Sequence, residues 1–195
     1  MSRRPIIVLI VILALTGVVL VAAVLSRSTA PPPIDPVPRT FSLTDHDGRR
    51  LDLASLRGKP VLVLFGFTFC PDVCPTEMGS LAALMRTLGP DADRLSVVFI
   101  SVDPKRDTPA KIKDFVQLFD RRIIGCTGSE AEVQAAATSF GAWFKRSDAK
   151  AQDPSWYLID HSANTYLLDR AGRWVGTIDS RTPLSTAVDA VRRLL

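Results

Sequence analysis

The stretch Pro60–Pro75, "PVLVLFGFTFCPDVCP", decides the fold. Through Phe67 it is a continuous apolar run rich in Val, Leu and Phe, the pattern of a central strand buried on both faces. Pro75 and Thr76 then open a helix expected to reach about Leu88, since proline is tolerated in a first helical turn. Cys70 and Cys74 fall at the handover from strand to helix, with three residues between them. A first turn offers unpaired N–H groups and the positive end of the helix dipole, and both stabilise thiolate over thiol. Residues four apart on a helix face the same way, with Cβ atoms roughly 5–6 Å apart. Disulfide-bridged Cα atoms span about 4.4–6.8 Å. The spacing admits a disulfide switch or two ligands for one metal ion, and does not choose between them.

Further elements extend the pattern in both directions. Upstream, "DHDG" at Asp45–Gly48 reads as a hairpin turn between two short strands. Downstream, "RLSVVFISVD", Arg94–Asp103, is a second buried strand. A helix follows in "DTPAKIKDFVQLF", capped at Asp107 or Thr108 and apolar at Ile112, Phe115, Val116 and Phe119. "RIIGCTG" is a third strand, and "SEAEVQAAATSFGAWFK" a further helix capped by Ser129. After "SWYLIDH", the segment "NTYLLDRAGRWVGTID" is a hairpin turning at Asp169–Gly172, and "TPLSTAVDAVRRLL" closes the chain as an amphipathic helix. Strands alternating with helices define a mixed α/β layer fold. A dithiol between the first core strand and its helix points to a thioredoxin-like domain with added β-hairpins.

The N-terminus bears on compartment. Residues 6–25, "IIVLIVILALTGVVLVAAVL", carry no charge, and about 20 apolar residues suffice to cross a bilayer as a helix. Arg3 and Arg4 precede the run, so the positive-inside tendency places the N-terminus in the cytoplasm. A cleaved signal peptide is the alternative, but its apolar core is typically only about 7–15 residues. Residues 1–25 are thus expected to be a transmembrane anchor. Residues 26–40, "SRSTAPPPIDPVPRT" with five prolines, make a stiff spacer, and 41–195 the domain. The start lacks an organelle transit signature, so the expected location is a bacterial inner membrane with the domain in the periplasm. Without Arg3 and Arg4 the chain has 22 basic against 20 acidic residues, too even a balance for a nucleic-acid binder.

The periplasm is kept oxidising, which bears on the three cysteines, Cys70, Cys74 and Cys126. Free cysteine is often a small buried hydrophobe, and Cys126, on a strand, fits that description. Two thiols at a strand-to-helix turn are poorly placed to stay inert. A metal site needs a third donor, and there are two histidines. His46 lies in a polar turn and reads as an exposed turn residue. His161 ends the apolar strand of "SWYLIDH", where an α/β fold presents functional groups. It is equally a structural, hydrogen-bonded histidine or a ligand. If Cys70, Cys74 and His161 converge, two sulfurs and one nitrogen suit three-coordinate Cu(I), and with a further ligand Cu(II). Structural zinc prefers four protein ligands, and no fourth is evident.

"FTFCPDVCP", "SVDPKRDTP" and "YLIDHSANTYLLD" together resemble the Sco/SenC family of copper-binding, membrane-tethered, thioredoxin-like proteins, over roughly residues 36–195. The resemblance implies one copper ion bound by Cys70, Cys74 and His161. It implies a role in assembling the copper centre of cytochrome c oxidase, whose copper-bearing subunit, or another copper protein, would be the partner. The family acts by delivering copper or by keeping the receiving cysteines reduced, so a thiol-disulfide oxidoreductase using a Cys70–Cys74 disulfide is the alternative. A copper sensor is compatible with the same ligands. A peroxiredoxin-like peroxidase is disfavoured, because its single activated cysteine would have a second unhelpfully close. Asp72, Asp103 and Asp160 are candidates to tune the site from behind the ligands.

Overall fold

The computed structural model describes residues 39–147 and 157–195. The expected anchor at 6–25 and most of the proline-rich spacer lie outside the described residues. Among those described, no helix is long and apolar enough to cross a membrane.

A seven-stranded mixed sheet organises the domain. Its strands are β1 (Ser42–Asp45), β2 (Arg50–Asp52), β3 (Val61–Gly66), β4 (Ser96–Ser101), β5 (Ile123–Thr127), β8 (Thr165–Leu168) and β9 (Trp174–Ile178). Their order across the sheet is β2-β1-β5-β4-β3-β8-β9. Strands β3, β4 and β5 run parallel, while β8 returns antiparallel along the other edge of β3. Every residue of β3 is buried, as its unbroken apolar run requires, and the hairpins at Asp45–Gly48 and Asp169–Gly172 form as expected.

Helices α1 (Val73–Leu88), α2 (Pro109–Gln117), α3 (Glu130–Phe140) and α4 (Leu184–Arg192) connect or follow the strands. Two apolar clusters form the core. One gathers Phe65, Phe67, Phe140 and Tyr166 with α3, and the other gathers Leu62, Leu64, Met78 and Phe99 with α1, α2 and α4.

The local signals hold, with three adjustments. Helix α1 starts two residues before Pro75, so Cys74 lies inside its first turn. Thr108, not Asp107, caps α2, its side chain accepting from the Lys111 N–H; Asp107 is drawn inward instead. Helix α3, with the full capping box of Ser129 and Glu132, stops at Phe140 rather than running to Lys145. Gly141 takes a left-handed conformation (φ 65°) that ends it. Phe144–Ser147 then forms β6, paired antiparallel with β7 (Leu158–His161) in a separate two-stranded sheet. The strand β6 was masked by a run of good helix formers before the glycine.

One glycine governs the approach of α1 to the sheet. A Cβ on Gly66, the last residue of β3, would lie 2.8 Å from both Cys74 Sγ and Phe99 Cε2. The bare backbone lets the Cys74 sulfur sit over the strand end. Gly66→Ala is expected to cost about 1–3 kcal/mol, the usual range for overpacking, and to displace Cys74. Urea unfolding checks this, and an unchanged midpoint would contradict it.

Candidate metal centre

Cys70 lies in the turn after β3, with its N–H donating to the Phe67 carbonyl at 3.3 Å. Asp72 precedes α1, but its side chain makes no cap bond. The Cys74 N–H, second in the helix, donates instead to Cys70 Sγ at 3.4 Å. The sulfur thus does part of the work of an N-cap oxygen, accepting from a donor the helix leaves unpaired.

The two thiols differ in consequence. The Cys74 thiol hydrogen-bonding to it, aided by His161 and backbone N–H groups, holds Cys70 down at about 4 despite partial burial. Cys74, donating that bond and almost wholly buried, is pushed well above the ordinary thiol range. Cys70 is therefore the standing thiolate and Cys74 keeps its proton.

His161 closes the group from β7. Its Nδ1 faces the Ser162 carbonyl at 2.9 Å. A carbonyl can only accept, so Nδ1 carries a proton and Nε2 is turned toward the sulfurs, 3.2 Å from Cys74 Sγ. Burial alone would favour the neutral ring, but the Cys70 sulfur, the Ser162 carbonyl and Asp160 outweigh it and raise the His161 pKa. The Phe67 ring meets the imidazole edge-on, 5.7 Å between centroids.

Donor atoms of Cys70, Cys74 and His161 all lie within 4.8 Å of one another, the one such group among the described residues. The two soft sulfurs and one nitrogen fit a thiophilic ion, and among the described residues no fourth protein donor joins them as structural zinc would require. A cavity of about 420 Å³ opens beside Cys70 and His161. Trp143, which lines it, is 58% exposed, and Phe69, next to Cys70 in the chain, 52%.

The other candidates separate cleanly. Cys126 lies on β5, fully buried, and burial pushes its thiol up to about 12; it stands outside the donor group, as a core thiol should. His46 is also outside, but it is no idle turn residue. It is partly buried, and its Nδ1 accepts the Gly125 N–H at 2.9 Å. Of the three aspartates, Asp72 and Asp160 are exposed, whereas Asp103 is buried against Arg106 and Tyr157. Sequence reading passed over Thr68, Arg106 and Tyr157. Its one available signal was the density of charge in "SVDPKRDTP" beside a buried strand.

A dithiol and an imidazole at the carboxyl end of a central parallel strand, on a thioredoxin-like α/β fold, define a thiol–imidazole metal or redox protein. The SCO1/SenC family matches residues 30–195, and the chain belongs to it. It is 36% identical to the SCO2-like protein of Rickettsia felis over 135 residues, 69% of this chain and 65% of that protein. It is 37% identical to the mitochondrial SCO2 homolog of Mus musculus over 155 residues, 78% and 60% of the two chains. The matched stretch thus spans about two thirds or less of these relatives. The copper-bound structure of ScoI from Bradyrhizobium japonicum superposes with a TM-score of 0.74 at 40% identity, covering 82% of this chain and 99% of that one.

The unequal thiols are open to a direct check. Iodoacetamide should modify Cys70 in the reduced, metal-free protein at a nearly constant rate from pH 8 to pH 5, falling only as pH drops through about 4. Cys74 should react far more slowly throughout. A Cys70 rate that falls tenfold per unit below pH 8 would contradict the assignment.

Proposed function

We propose that the protein is a copper chaperone: it binds one copper ion through Cys70, Cys74 and His161 and assists assembly of the copper centre of cytochrome c oxidase. The observation that carries this reading is the convergence of the three donor atoms within 4.8 Å. The chain's family and the copper held by the Bradyrhizobium relative support it. Cu(I) is the favoured cargo, because two thiolates and an imidazole satisfy a three-coordinate soft ion, and Cu(II) can be held with an added ligand. Binding must expel the proton from Cys74, so affinity falls with falling pH. Cys70, less buried than Cys74, is the natural point for an incoming ligand to attack, while Cys74 and His161 would keep hold of the ion.

The apolar run at 6–25, preceded by Arg3 and Arg4, supports attachment to a bacterial inner membrane with the domain in the periplasm. The recipient is then the copper-bearing subunit of the oxidase or another copper protein facing that compartment.

One observation favours a second activity on the same residues, the low-pKa thiolate of Cys70 beside a protonated partner. Cys70 would attack a disulfide of the target and form a mixed disulfide. Cys74 would lose its proton and displace the target's second thiol. The end products are a Cys70–Cys74 disulfide and a reduced target.

Anaerobic titration of the reduced domain with Cu(I) against a chromophoric competitor separates the two. One tight equivalent is expected in the wild type, lost or sharply weakened in Cys70→Ser, Cys74→Ser and His161→Ala. Unchanged affinity in His161→Ala would sink the three-ligand site and leave disulfide exchange as the function.

A further inference from the structure

The ligands come from two segments, His161 standing 87 residues beyond Cys74, and they meet directly only where Cys74 Sγ and the Phe67 ring approach the imidazole. Between them lies the turn that follows β4. Its two carboxylates, Asp103 and Asp107, are buried, Asp107 to 1% exposure. Their hydrogen bonds run in two directions.

Asp107 reaches toward the cysteines. Its carboxylate accepts the Thr68 N–H at 2.9 Å and the Thr68 hydroxyl at 2.6 Å, and also the Ser101 hydroxyl at 2.5 Å. Thr68 stands two residues before Cys70, so this grip fixes the path of the cysteine turn. Asp103 reaches the other way, accepting the Tyr157 hydroxyl at 2.7 Å. Tyr157 immediately precedes β7, the strand that ends in His161.

Arg106 joins the two directions. It pairs with Asp103 and donates from Nη1 to the Tyr157 carbonyl at 2.9 Å. Its guanidinium lies 3.6 Å over the Tyr157 ring and 5.1 Å from the Phe69 ring centroid, so it touches both ligand-bearing segments at once. Among the described residues Nη2 is buried without a hydrogen-bond partner, a cost that the pairing and stacking of the rest of the guanidinium must offset.

We propose that Asp103, Arg106 and Asp107 form a two-armed clamp that holds the cysteine turn and the histidine strand at ligating distance. They are positioning residues, since none offers an atom to the donor group itself. Asp107 sets the cysteine arm, Asp103 with Tyr157 sets the histidine arm, and Arg106 couples them. The consequence for copper affinity rests on the chaperone reading; the consequence for geometry does not.

The test reads both in the reduced, full-length protein. In metal-free protein, NMR follows the Cys74 amide, which donates to Cys70 Sγ, and the His161 ring protons. Thr68→Val and Asp107→Ala are expected to shift the Cys74 amide and leave His161 in place. Tyr157→Phe should do the reverse, and Arg106→Ala should move both. Arg106→Lys should not rescue, because an ammonium cannot pair, donate and stack together. Asp107→Asn should rescue, since an amide can accept the Thr68 N–H and donate to the Thr68 hydroxyl. Cu(I) affinity should fall roughly 10- to 100-fold in the damaging variants, the usual effect of losing support behind a ligand. The single-hydroxyl variants Thr68→Val and Tyr157→Phe keep the test open if the larger changes fail to fold. Shifts as expected in a wild type that binds no copper would uphold the clamp and sink the chaperone reading. Unmoved signals in Arg106→Ala, or equal shifts across the whole sheet in every variant, would overturn the clamp.

Discussion

The site depends on a 3.2 Å approach between Cys74 Sγ and His161 Nε2. Without that contact the cysteine pair is an ordinary dithiol with a wide spacing; with it, two sulfurs and a nitrogen face one point. The approach needs space and direction. Space comes from Gly66, whose missing side chain lets the Cys74 sulfur settle over the end of β3. Direction comes from the Ser162 carbonyl, which accepts a hydrogen bond from Nδ1–H and leaves Nε2 for the sulfurs.

Burial divides the labour between the thiols. Cys70, partly buried and accepting from the helix start, stays ionised down to about pH 4, while Cys74, enclosed, keeps its proton. A soft cation entering the group would first meet a thiolate and then displace a proton from the second sulfur. A disulfide partner would meet the same thiolate as nucleophile, with the second thiol behind it. One electrostatic arrangement is fit for metal exchange or thiol exchange, and the imidazole bears on both: it would be a ligand in the first, and in either it helps to hold Cys70 as thiolate.

Much of this was legible in the chain because local chemistry declared it. The unbroken apolar run of Val61–Phe65 could only be a central strand, and the turn residues at Asp45–Gly48 and Asp169–Gly172 could only be hairpin tips. Cys70 and Cys74 were visible because few residue types do their chemistry. His161 was visible only as one of two histidines, and spacing alone left it open. Three features stayed hidden. Strand β6 followed a well-capped helix with one glycine between. Asp107 looked like a helix cap because it precedes Thr-Pro, yet Thr108 supplies the cap and frees Asp107 for a tertiary contact with Thr68. His46 looked like an exposed turn residue because its partner, the Gly125 N–H, is 79 residues away. Long-range hydrogen bonds leave no period in a sequence, and the supports of this site are of that kind.

X-ray absorption at the copper edge of the Cu(I)-loaded, reduced domain tests the central claim most directly. The account requires a three-coordinate ion with two sulfur neighbours and one imidazole nitrogen, the nitrogen disappearing in His161→Ala. A spectrum with sulfur neighbours alone in the wild type would contradict it.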